Sequence, residues 1–151
     1  MPLHRSVFLK KLSHDHHHGL LIGLRARKAA ATGDASVIAS TWIETERRFA
    51  AELEPHFHVE ERFILPGLVA RGMTDFIRQL TDEHAELRAF VKPESERNAS
   101  RLQRFGELLD AHIRFEERTL FEVVQTVFSE DELTALAVAA TDTGSEPCSA
   151  H

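Results

Sequence analysis

The stretch His56-Phe57-His58-Val59-Glu60-Glu61-Arg62-Phe63-Ile64-Leu65-Pro66 decides the fold, because it returns as His112-Ile113-Arg114-Phe115-Glu116-Glu117-Arg118-Thr119-Leu120-Phe121. Both copies carry His-x-x-x-Glu-Glu-Arg. Residues four apart on a helix lie one turn above each other on the same face, so each copy presents an imidazole and a carboxylate together. Apolar residues continue that face at three- and four-residue steps, which makes it the inward one. An acid followed by a histidine occurs twice more, as Asp15-His16 and Glu83-His84.

Working outward, helical periods run through nearly the whole chain and no stretch alternates like a strand. The expected fold is all-α: an up-down-up-down four-helix bundle with a short C-terminal fifth helix. The first helix covers about residues 6–31, with an inward stripe of Leu9, Leu12, His16, Leu20 and Gly23, and Thr32-Gly33-Asp34 breaks it. The second covers about 35–70, with Ile38, Trp42, Thr45, Phe49, Glu52, His56, Glu60, Phe63 and Gly67 on its seam. Pro55 removes a backbone hydrogen bond there and predicts a kink just before His56. The third runs from about 74 to 91 with Ile77, Leu80, His84, Leu87 and Val91 inward, before Lys92-Pro93. The fourth runs from about 94 to 127 with Leu102, Phe105, Leu109, His112, Glu116, Leu120, Val123 and Val127 inward. Ser129-Glu130-Asp131-Glu132 reads as a capping box opening a fifth helix to about 140. Residues 1–140 are thus expected to form one domain and 141–151 a flexible tail.

Six polar side chains fall on these apolar seams: His16, His56, Glu60, His84, His112 and Glu116. A buried carboxylate without a partner costs several kcal/mol, so such groups must pair, neutralise or coordinate. A metal centre satisfies them together, with Glu60 and Glu116 bridging two ions and two histidines serving each. Mixed imidazole and carboxylate ligation with open positions suits non-haem iron, oxo- or hydroxo-bridged, with manganese or zinc as substitutes. His17 is the alternative to His16 as the ligand from the first helix. Glu52 is expected to accept a hydrogen bond from a ligand imidazole. Glu61 and Glu117 are expected to face water, His4, His58 and His151 to lie on the surface, and Phe49, Phe63, Phe105 and Phe121 to pack the core.

Composition excludes other classes. A formal net charge of −6 argues against nucleic acid as a partner, and the basic cluster Arg25, Arg27 and Lys28 reads as a solvated helix face. No apolar run approaches the roughly 18 to 20 residues of a membrane span. Residues 1–11 lack the layout of a secretion signal, so the expected location is the cytoplasm, without a membrane partner. The single cysteine, Cys148, permits neither a disulfide framework nor a cysteine-based zinc site, and an exposed thiol is expected.

These motifs make the chain resemble the hemerythrin-like, or HHE cation-binding, domains over about residues 9–127. The resemblance rests on His16, the pair His56 and Glu60, His84 following Glu83, and the pair His112 and Glu116. The segments from Glu60 to Pro66 and from Glu116 to Phe121 are similar to the family's E-E-x-x-L-F-P signature, and only the first retains the proline. The resemblance implies a diiron site that binds or senses dioxygen, nitric oxide, peroxide or iron, with a homodimer compatible. Oxygen carriers of the family place a second histidine four residues after the one on the third helix. Arg88 stands there instead, expected to pair with Glu52 or Glu116 or to point to water, so the chain is closer to variants with four histidines and two carboxylates. The competing reading is a metal-free helical interaction module whose inward His and Glu residues form a hydrogen-bond network. A ferritin-like oxidoreductase ranks last, because that site uses E-x-x-H where this chain has H-x-x-x-E. No nucleophile and base constellation for a hydrolase is visible.

Overall fold

In the computed structural model, which describes residues 5–144, every regular element is a helix, as the periodicity predicts. Ser6 caps α1 (Val7–Thr32) by accepting from the Leu9 amide, and Gly33 ends it in the left-handed region at φ 66°. Asp34 accepts from the Ser36 and Val37 amides and starts α2 (Ala35–Arg48). Helical backbone then continues through a π turn at Phe49–Leu53, α3 (Glu54–Val59), a second π turn at Glu60–Ile64 and α4 (Leu65–Ala70). α5 spans Thr74–Phe90. α6 (Ala99–Phe115) passes through a third π turn, Glu116–Leu120, into α7 (Phe121–Val127), and α8 covers Glu130–Gly144.

The π turns have local causes and one large consequence. Pro55 and Pro66 each lack the amide proton an α-helix needs and crowd the preceding turn. The wider turn lies directly ahead of each, with the Glu54 amide reaching back to the Phe49 carbonyl and Leu65 to Glu60. The kink expected at Pro55 thus takes the form of a π turn. The third has no proline, but like the second it begins at the motif glutamate. Each π turn takes up one more residue than an α turn, which displaces the inward seam by one position within the first wide turn, before His56 and Glu60 regain it, and beyond the second and third. Leu53 is buried where Glu52 was expected, Ile64 and Leu68 replace Phe63 and Gly67, and Val124 and Phe128 replace Val123 and Val127.

The start of α6 also differs from expectation, at Ala99 instead of near residue 94. Arg97 donates to the Val91, Lys92 and Ser95 carbonyls and holds the connection out of helical form, while Asn98 caps α6 by accepting from the Arg101 amide. Ser129 and Glu132 make the expected capping box, each side chain accepting from the other's amide, and α8 continues to Gly144, past the predicted end. His4, Cys148 and His151 lie outside the described residues.

α1 packs along α6 and also meets α2 and α8, whereas α5 lies against α4 and α6. The α1 and α6 backbones approach closely at two glycines: a Cβ added at Gly106 would stand 2.7 Å from the Gly23 carbonyl oxygen. Buried apolar side chains form two clusters. One gathers around Trp42, Phe49, Phe57 and Phe105, the other around Leu9, Ile64, Phe121 and Phe128. Between them lies a layer of buried histidines and glutamates drawn from four helical runs, α1, α2 to α4, α5 and α6 to α7. No helix among the described residues is long and apolar enough to cross a membrane.

Candidate metal centre

The layer contains the six side chains nominated from the seams. α1 supplies His16, α3 His56, the π turn after it Glu60, α5 His84, α6 His112 and the third π turn Glu116. All six are buried, with Glu60, His84 and Glu116 fully so. They form two overlapping groups of potential ligands: His16, His56, Glu60 and Glu116, and Glu60, His84, His112 and Glu116. Within each group the donor atoms all lie within 4.8 Å of one another. The two glutamates are common to both groups, so the cluster has a His16–His56 half and a His84–His112 half.

Every histidine turns Nε2 to this centre. His16 Nε2 is 2.7 Å from Glu116 Oε1, and His84 Nε2 is 3.0 Å from Glu60 Oε1. His56 Nε2 lies 2.9 Å from Glu60 Oε2, and His112 Nε2 2.9 Å from Glu116 Oε2. The last two contacts lack the direction of a hydrogen bond, so all four of these buried atoms are without a partner. Inward-facing nitrogen and oxygen donors that share no proton fit a cation, which would satisfy them at once.

Every histidine also turns Nδ1 to a carboxylate outside the centre. Glu117 stands 2.5 Å from His16, Asp15 3.1 Å from His56, Glu61 2.7 Å from His84 and Glu83 2.6 Å from His112. The pattern is internally twofold. The acid before His16 serves His56 and the acid before His84 serves His112, while the acids after Glu60 and Glu116 serve the other two. A carboxylate on Nδ1 holds the proton there and leaves the Nε2 lone pair for a metal.

Burial opposes charge on all of these groups. For the imidazoles the carboxylates outweigh it: hydrogen bonds to Glu116 and Glu60 hold His84 at about 9, and the charge of Glu116 with its hydrogen bond holds His112 at about 10. His16 and His56 are shifted upward for the same reason. Burial would raise Glu116, but His112, Glu60 and His16 keep it well below the usual carboxylate range. Among protein groups alone, the centre therefore favours protonated imidazoles beside an ionised Glu116.

Several side chains depart from expectation. Glu61 and Glu117 do not face water but bind His84 and His16. Glu52, displaced from the seam by the first π turn, pairs with Arg48 and lies 3.7 Å from the exposed His18, so it serves none of the buried imidazoles. Arg88 points neither to Glu52 nor to Glu116. Its Nε and Nη2 bind both oxygens of Glu54, and Nη1 binds Glu61 at 2.7 Å. His17 is exposed, leaving His16 as the histidine of α1 at the centre, and His58 is exposed as expected. Phe49, Phe105 and Phe121 are buried and Phe63 is half-buried against the core. Arg5 carried no sequence signal, yet it binds Glu117 through both its side chain and its carbonyl.

A cleft of about 650 Å³ runs between α1 and α3, walled by residues such as Phe8, Leu12, Val59 and Phe63, and it reaches His16 and His56. Phe57, which also lines this cleft, lies flat on the His84 ring at 4.0 Å and covers it.

Fold and site together define a class: an all-helical protein built around buried imidazoles and carboxylates that could hold cations. The comparison with known families specifies it further. The hemerythrin HHE cation binding domain matches residues 10–124, and the chain belongs to that family. No curated protein and no solved structure matches it.

Proposed function

We propose that this protein holds two non-haem iron ions and uses them to bind or sense a small molecule such as dioxygen, nitric oxide or peroxide, or to sense iron itself. In this reading His16 and His56 serve one ion, His84 and His112 the other, and Glu60 and Glu116 are shared. The four unpartnered atoms at the centre carry the proposal: His56 Nε2, Glu60 Oε2, His112 Nε2 and Glu116 Oε2. Manganese or zinc suits the same donors. Bound iron would supply redox chemistry and an exchangeable position for the small ligand.

The protein's own groups do the rest. Asp15, Glu61, Glu83 and Glu117 orient the imidazoles, and the apolar clusters on either side keep bulk water from the centre. The cleft beside His16 and His56 gives a small ligand its route. The reading includes an up-down-up-down bundle, supported by the short connections between the four helical runs and by the contribution of each run to one centre. It also places the protein in the cytoplasm.

A metal-free interaction module is favoured by one observation, the raised His84 and His112, which would neutralise the glutamates as imidazolium ions. Metal analysis separates the two. Protein purified anaerobically from iron-supplemented cells is expected to carry about two irons per chain and to change its optical spectrum on exposure to air. Fully helical protein that acquires neither iron nor another divalent ion overturns the proposal.

A further inference from the structure

Two arginines outside the centre grip it in the same way from unrelated positions in the sequence. Arg88 on α5 binds Glu61, whose Oε2 is also the acceptor for His84 Nδ1. The same guanidinium lies over the Phe57 ring at 5.5 Å, and that ring is stacked on His84 with an interplanar angle of 13°. Arg5, ahead of α1, binds Glu117, whose Oε2 meets His16 Nδ1. Its guanidinium lies over Phe121 at 5.5 Å, and Phe121 is stacked on His16 at 12°. Each bracket thus holds one imidazole twice, by its edge through a carboxylate and by its face through an aromatic ring.

The internal repeat does not generate this symmetry. Glu61 and Glu117 are equivalent, but Phe57 stands one residue after the motif histidine and Phe121 stands nine after, and the arginines lie on different elements. Among the described residues His56 and His112 have no such bracket, since neither Asp15 nor Glu83 is hydrogen-bonded to or paired with an arginine there. Glu54 anchors the far side of Arg88, and Ser13 and Glu122 anchor Arg5, so both guanidiniums are fixed in place.

We propose that Arg88 and Arg5 are positioning residues, each fixing one imidazole, His84 or His16, and thereby setting the affinity of one half of the centre independently of the other. The inference rests on the metal-binding reading above. Each arginine reaches the ligand set through its own Glu and Phe. Phe121 meets His16 alone, whereas Phe57, stacked on His84, also meets the His112 ring edge-on at 5.6 Å within the same half and stands 6.4 Å from His56, so the loss of either arginine should act chiefly on its own half. A general structural role would weaken both halves alike.

Cobalt(II) titration followed by its visible d–d bands tests this, with helicity and thermal midpoint recorded for each variant. In a His16→Ala background, which leaves the His84–His112 half, Arg88→Met is expected to weaken cobalt binding about tenfold or more, the usual loss when an outer partner of a metal-bound histidine is removed. In a His112→Ala background the same change should have less than about a twofold effect, and Arg5→Met should show the reverse pattern. Glu61→Gln and Glu117→Gln keep the side-chain shape and should reproduce the selectivity of Arg88 and Arg5, respectively. In the otherwise unaltered protein, each variant should shift one of two cobalt-binding steps. Equal losses in both halves, or no loss in folded variants, overturn this inference alone. Absence of cobalt, iron or zinc binding by the unsubstituted protein overturns the metal centre and this inference with it.

Discussion

Glu60 touches a histidine from each half of the centre, 2.9 Å from His56 and 3.0 Å from His84, whereas His112 belongs to one half only. Their loss should therefore differ in stoichiometry. On the two-iron reading proposed above, Glu60→Ala is expected to bring iron content close to zero, because both ions would lose a shared ligand and the neighbouring imidazoles lose their partner. His112→Ala should remove about half, since His16, His56, Glu60 and Glu116 stay together. His58→Ala changes an exposed side chain and should leave the content unaltered. Metal analysis of the three proteins checks this ranking, and equal losses from all three would sink the assignment. The burial and convergence of the six central residues were legible because each replaces an apolar residue on a seam, where a polar group must find partners from other helices. The outer shell was not. Glu61 and Glu117 follow seam residues directly, about 100° around the helix, a position that borders the core and reads as solvent-facing from one helix alone. Only the neighbouring helix, bringing His84 or His16 to that border, gives them their role.

At the scale of the elements, a regular 3.6-residue count carries across each helix until a π turn intervenes. On α1 and α5 no π turn occurs, and most of the expected seam is buried: Leu9, Leu12, His16 and Gly23, with Leu80, His84 and Leu87, while Leu20, Ile77 and Val91 are half-buried against the core and Gly19 and Phe90 take the fully buried places beside Leu20 and Val91. On the two π-interrupted runs the count slips at Leu53 inside the first wide turn, recovers at His56 and Glu60, and fails beyond the second and third, which is why Val123 and Val127 were expected inward in place of Val124 and Phe128. Pro55 and Pro66 mark two of the three turns in the sequence, while Glu116–Leu120 carries no such marker. Close helix approach leaves a clearer trace. With Gly106 facing the Gly23 carbonyl, α1 and α6 can sit nearer than side chains would allow, and the same pair of helical runs carries His16 and Glu116, which meet at 2.7 Å. A methyl group 2.7 Å from a backbone oxygen cannot be relieved by turning a side chain, so the helices must separate. Gly106→Ala is expected to destabilise the protein by about 1–3 kcal/mol, as overpacking typically does, and to weaken metal binding alongside. Urea unfolding gives the first quantity and cobalt titration the second; an unchanged urea midpoint would show that the two backbones are not in close contact.

For the whole molecule, one set of protons links folding to metal binding, with opposite signs in the two states. Without metal, His84 at about 9 and His112 at about 10 lie above the ordinary value of 6.5, so the folded state binds their protons more tightly than the unfolded chain. The stability this contributes is complete below pH 6.5 and is lost as pH rises through 9 and 10. The metal-free protein should therefore melt at progressively lower temperature from pH 6.5 upward. A metal ion takes the same Nε2 lone pairs, so it must displace those protons, and its apparent affinity should rise with pH over the same window. Because ligand binding to the folded state adds to stability in proportion to the logarithm of its affinity, the difference in melting temperature between loaded and metal-free protein should widen with pH. Calorimetry of the zinc-loaded and metal-free protein at pH 6.5, 7.5 and 8.5 measures that difference directly. Addition of zinc in weak buffer at pH 7.5 should also release roughly two protons per chain or more, since His84 and His112 are both protonated there. A difference that narrows with pH, or binding without proton release, would mean that the ions take donors other than these imidazoles, and the metal would then have no means of tying the four helical runs together through this layer.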